Sequence, residues 1–338
     1  MKHFKNLTLV IAAVGMLLFT SCGNDDDFET NPDIDPVNFE LNGTQEGDRI
    51  LDPSQGYTLT GSYIVKSGAT LTIPAGTQII SQVASNNYIA IEKGAEIDVQ
   101  GTENLPVVMK SSAGNQGDWG GLVILGDALT TEGVNATAEV GGFVYGGTNA
   151  SDSSGNIDYL IIKNAGAQIN ADSQYNGLTL YAVGSGTSIN NVALLDGADD
   201  GVEFFGGSVS ITNLYAENNQ DDSVDWTEGW NGTLTNTYVA HNNDGFSTAI
   251  EADGDNNNPT IINFTAISSV GGTALQFKKM SGATMTNVFL AGYDTNVDMK
   301  DEGPIENIIV DGEAMTDASN NVFNGTAVDI SNWGWVQQ

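Results

Sequence analysis

Positive charge is the scarcest commodity in this sequence, and its scarcity excludes whole classes of function. Ten Lys and Arg stand against 43 Asp and Glu, for a net charge of −33, and Arg49 is the only arginine. A surface of that sign repels phosphate backbones, so nucleic acid is excluded as a partner. It attracts instead metal cations, or neutral ligands that tolerate an acidic face. Cysteine is almost as rare. Cys22 is alone, so no disulfide framework braces the fold. Amphipathic helical stretches are missing too: from about residue 57 onward, short β-branched runs alternate with Gly, Asn and Asp.

One long apolar run exists, "LTLVIAAVGMLLF", preceded by Lys2 and Lys5. It is short for a membrane span, and residues 1–21 read as an export signal. The stretch "LFTSC" resembles the lipobox of bacterial lipoproteins, with Phe19 where that motif usually has Leu. The following "GNDDDFE" resembles the acidic surface-export signal of Bacteroidota lipoproteins. The resemblance implies lipidation at Cys22 and anchoring in the outer membrane, facing the cell exterior. An ordinary cleaved signal followed by a polar linker is the alternative. Residues 22–45, low in apolar content, read as a flexible acidic tether.

The rest of the chain is periodic. An element small/polar–apolar–x–Asn recurs with Asn at 191, 213, 236, 263, 287 and 307, as in "SITNLYA" and "TMTNVFL". A second, apolar–polar–apolar, recurs in step as "LTL", "VEF", "VDW", "FST", "LQF" and "VDM". Both series stretch beside the insertion "EADGDNNNP" at 251–259. Leucine-rich repeats share such a period, but their Leu-x-x-Leu-x-Leu spacing is missing. The better solution is a coil of three short strands, stacked so that each strand pairs in parallel with its equivalent about 4.8 Å away. Asn191, Asn213, Asn236, Asn263, Asn287 and Asn307 then form a column at one sharp bend. Asn tolerates the left-handed backbone there, and its amide both donates and accepts along the column. "GSYIVKSGATLTIPAGTQI" and "NIDYLIIKNAG" look like earlier coils, and residues 130–155 like a loop or irregular coil.

The segments "SGATLTIPAGT", "GDWGGLVILG", "DDGVEFFGG" and "DDSVDWTEGW" are similar to those of Bacteroidota lipoproteins in the pectate-lyase-like right-handed parallel β-helix superfamily. The resemblance implies an all-β, right-handed parallel β-helix over residues 46–338, with about 10–12 coils of 20–29 residues. It says much less about activity.

The superfamily includes polysaccharide lyases and hydrolases, so catalysis has to be weighed. The Gly-His-Gly of polygalacturonase-like sites is missing; His241 sits in "AHNNDG". Lys278 and Lys279 in "FKKM" are the candidates for a lyase base, although a lysine among carboxylates is a poor one. Glu203 and Asp225 would stack about 5 Å apart in adjacent coils, a separation that also suits a retaining glycosidase pair.

Acid pairs at Asp199/Asp200 and Asp221/Asp222 repeat the same stacking one bend earlier, with Asp244 extending the column. Two readings stand. A hard cation such as calcium, held by carboxylate oxygens, would relieve the repulsion. Alternatively the acids cap turn N–H groups and face water. The metal candidates are Asp200, Asp222, Glu203, Asp225 and, in the insertion, Asp253 and Asp255. The insertion's "DGDNN" matches the opening ligands of an EF-hand loop and lacks its later Gly and Glu. Trp226 is expected in the core, Trp230 exposed for stacking on a sugar ring, Trp119 at a coil edge, and Trp333 with Trp335 in a C-terminal cap. The expected function is non-catalytic binding of a glycan or cell-surface protein, with a polysaccharide-degrading enzyme as the alternative and a purely structural surface-layer protein as a third reading.

Overall fold

The structure, a computed structural model, describes residues 39–171 and 173–338. The export signal, Cys22 and most of the tether lie outside the described residues. The described chain winds into a right-handed parallel β-helix with three parallel sheets. The first sheet is ten strands deep, from Arg49–Ile50 to Ile308–Val310. The second, also of ten, begins at Glu40 and ends in the second half of Ala283–Ala291. The third, again of ten, ends at Thr295–Lys300. Pairing already starts in strand Glu40–Gln45, six residues before the expected boundary at 46.

Alternation explains the core. In the third sheet Leu122, Leu178, Val202, Val224, Ile250 and Leu275 stack inward, each 0% exposed. The next inward position carries Phe204, Trp226 and Phe277, all buried. Residues between them face outward, which is how the acids reach the surface of the sheet.

Strands that pass from the first sheet to the second bend at one left-handed residue: Tyr159 (φ 49°), Asn191 (53°), Asn213 (61°), Asn236 (56°), Asn263 (56°) and Asn287 (55°). Each Asn from Asn213 onward donates its Nδ2 to the Oδ1 of the Asn one coil earlier, at 2.8–3.0 Å. Asn191 closes the column on Asp158 Oδ1 at 2.7 Å. Asn307 is not a member. It ends a 3-10 turn, Ile305–Asn307, and donates to the Met280 carbonyl at 2.8 Å. That turn takes up residues, so Met285 pairs with Val310 rather than Ile305.

The second series needs a similar correction. The strand after Val224–Thr227 is Thr248–Ala252, not one centred on Ser247, and Asp225 pairs with Glu251. The extra residues are shared between the bend at 242–247 and the loop at 253–259, instead of sitting only in the latter.

Two segments lie on the outside of the coil. Within 126–154 a small hairpin, Ala136–Thr137 with Val144–Tyr145, packs Ala138, Val140 and Tyr145 against Val123, Leu125 and Tyr181 on the third sheet. The first part of the C-terminal tail closes the last coil, with Met315 and Phe323 buried in the main core and Asn324 bridging Phe289, but Trp333 and Trp335 lie beyond it. From there the tail runs back along the second sheet, where Trp335 and Val336 cover Val108, Ile161, Ala193, Leu195 and Tyr215. Trp119 is fully buried in the main core, its Nε1 donating to the Lys163 carbonyl at 2.9 Å.

Candidate functional site: an acidic cleft on the third sheet

Strands Val202–Phe205 and Val224–Thr227 each send two residues inward and two outward. Their outward first positions, Glu203 and Asp225, pair in register. The same outward column holds Thr179 before them and Glu251, Gln276 and Asp298 after them. The bend that leads into each strand supplies Asp199/Asp200 and Asp221/Asp222. Carboxylate oxygens of Asp200, Glu203 and Asp225 lie within 4.8 Å of one another, and so do those of Asp199, Asp200 and Asp221. Asp200 joins the two triads. They open into a cleft of about 320 Å³ whose other walls include Gln174, Phe205 and Glu139, the last from the side hairpin.

These acids are held without a basic partner. None of the ion pairs among the described residues includes them; Lys278, bonded to Glu251 one register position beyond Asp225, acts on Asp225 and Asp222 only through space. Asn176 Nδ2 donates to Glu203 Oε2 at 2.7 Å, and the Asp222 N–H donates to Asp200 Oδ1 at 2.9 Å. Asp225 Oδ1 and Asn176 Oδ1 are buried with no donor, and Thr179 Oγ1 is buried with no partner. Burial and, after it, the neighbouring Asp221 and Asp222 push the Asp199 carboxyl up to about 7. Burial likewise pushes Asp222 up to about 7, against a hydrogen bond from Thr248. Asp200, Glu203 and Asp225 are held well above the usual carboxylate range, by burial first and then, for Asp200 and Glu203, by Asp225. Carboxyls held this way keep their protons to higher pH than free ones.

The structure therefore brings Asp200, Glu203 and Asp225 together and keeps Asp222 one step behind, tied to Thr248. It does not bring in the insertion. Asp253 pairs with Lys279 at 3.1 Å, and Asp255 is exposed apart from either triad. Asp244 is exposed as well. Lys278 is bonded to Glu251. Trp230 is fully buried rather than exposed: it stacks on Phe204 with ring centroids 4.0 Å apart and donates its Nε1 to the Val209 carbonyl at 2.9 Å. A sugar cannot reach it.

Some members of the site escaped the sequence. Glu251 was hidden by the misplaced strand, although "AIEA" alternates as "VDW" does. Glu139 and Gln174 come from loops whose approach to the sheet no periodicity encodes. His241 is buried between Ser223 Oγ (3.0 Å) and Tyr293 OH (2.9 Å) and stacked on Phe246, and burial pushes it down to about 4. With His241 and Ser223 both 0% exposed, that trio is packing rather than chemistry.

The model of the pectate-lyase-like β-helix domain matches residues 43–332. No curated protein and no solved structure matches the chain. With ten-strand parallel sheets in place and a match across most of its length, the chain belongs to the pectate-lyase-like β-helix family.

Proposed function

We propose that this protein is a non-catalytic binding module of the cell envelope, anchored in the outer membrane through lipidated Cys22, which presents a calcium-loaded acidic cleft to an extracellular glycan or cell-surface protein. The observation that carries the reading is the pair of carboxylate triads sharing Asp200, with no Lys or Arg paired to them among the described residues. Calcium takes six to eight oxygens in irregular geometry, which suits acids from two bends and two strands. The test is thermal melting of the detergent-solubilised full chain with and without calcium, beside Glu203→Gln/Asp225→Asn. A calcium-dependent rise that the variant loses supports the reading; no rise in the wild type sinks it.

The alternative is a polysaccharide-degrading enzyme. The approach of Glu203 and Asp225 within one cleft favours a hydrolase over a lyase, because Lys278 is engaged by Glu251. Release of reducing ends from extracellular polysaccharides, abolished by Glu203→Gln, would establish it.

A further inference from the structure

Beside the acidic cleft lies a second, larger cavity of about 440 Å³ between the side hairpin and the outward face of the third sheet. The two share Glu139 and Phe205 as walls. Its floor is aromatic. Tyr145 and Tyr181 rings lie 4.8 Å apart, and Tyr181 stacks on Phe205 at 4.3 Å with an interplanar angle of 19°. Its polar rim is acidic: Glu132, Glu139 and Glu228 line it. Glu228 is fixed, accepting from Tyr145 OH at 2.9 Å and from Thr130 Oγ1. Lys93, which donates to the lining residue Asn135 at 2.7 Å, is also committed to Asp127 at 3.1 Å.

We infer that this second cavity receives an amino sugar, its ring on Phe205 and its ammonium among Glu132, Glu139 and Glu228. Three arguments converge. A half-buried aromatic face accepts the apolar face of a pyranose. Ring faces beside carboxylates also attract an organic cation, through the ring quadrupole as well as the charge. A chain of net charge −33 repels polyuronates, which leaves neutral or cationic glycans. The inference rests on the protein being a binding module, but not on calcium.

The experiment is calorimetric titration of the detergent-solubilised full chain with glucosamine tetramer, N-acetylglucosamine tetramer and tetralysine. The glucosamine tetramer should bind at least tenfold more tightly than either control. Glu132→Gln/Glu228→Gln should abolish the preference while leaving the β-sheet circular dichroism and the cooperative melt of the chain intact. Since Glu228 is half-buried, the exposed single variant Glu132→Gln is run in parallel and should cut the preference severalfold. Equal affinity for the acetylated tetramer would overturn the ammonium assignment. Tetralysine binding as tightly as glucosamine tetramer would overturn the sugar. Mass spectra of the recovered tetramer separate the two readings: cleavage would refute the non-catalytic module while the amine preference is judged on affinity alone.

Discussion

Asp199 and Asp222 give the cleft a pH signature. Both carboxyls are pushed up to about 7 by burial, whereas in the unfolded chain they titrate near 4. The fold therefore keeps protons that the unfolded chain has lost, and their contribution to stability declines as pH rises from about 4 through about 7. His241 works in the opposite sense below about 6.5, because burial pushes it down to about 4 and it must stay neutral in the fold. Between pH 6.5 and 8 the acids act alone. Without calcium, the melting temperature should fall by a few degrees across that window, and Asp199→Asn/Asp222→Asn should make the slope shallower, with Asp200, Glu203 and Asp225 supplying the remainder; a rising slope would count against the geometry. The Asn column yields a second residue-scale prediction. Asn236→Ala forces Ala into the left-handed region and strands two amides, for a cost of about 2 kcal/mol. Asn236→Gly keeps the bend and should cost less, as urea denaturation would show. This column was legible because Asn is a signal for the conformation it adopts; Asn307 misled because a local 3-10 turn shifted the register by five residues.

At the scale of elements, the C-terminal tail is the part most misjudged from sequence. Its first part closes the last coil, with Phe323 in the main core, but the Trp333 and Trp335 assigned to that cap by the sequence lie in a strap along the second sheet. Val328 N–H bonds Thr265 Oγ1 at 2.8 Å, Lys163 Nζ reaches the Gln338 carbonyl at 3.1 Å, and Trp335 meets Tyr159 edge-on at 5.5 Å. The strap therefore ties late coils to early ones. Trp335→Ala should cost about 3 kcal/mol in chemical denaturation. Removing residues 330–338, which leaves Phe323 in the main core, should also raise binding of a hydrophobic dye, because the apolar outward positions of the second sheet become exposed. An unchanged dye signal would mean the strap is dispensable cover. Its position could not be read in advance, since "NWGW" states that aromatics must be buried but not against which face.

For the whole molecule, net charge and stacking oppose each other. Parallel coils place like charges in columns, relieved among the described residues by a handful of ion pairs and by hydrogen-bond donors such as Asn176 and Thr248. Screening should help. Raising NaCl from about 50 to 500 mM shortens the Debye length from roughly 14 to 4 Å and should raise the melting temperature without calcium. A fall with salt would show that favourable pairs dominate instead.

The repeat of Asn, the alternation of apolar residues and the shortage of basic ones determined the β-helix, its coil interval and its acidic character. Each is a local property, and stacking multiplies it coil after coil. The tertiary structure alone decided which acids meet. Glu203 and Asp225 were visible as a register pair, but Asp200 joins them only through the bend geometry, Glu251 takes Lys278 out of reach, and Glu139 arrives from a hairpin 64 residues upstream of Glu203 in the chain. Likewise only packing showed Trp230 to be core. Contacts between distant segments depend on where loops cross the surface of the coil, and a period in the sequence carries no record of that path.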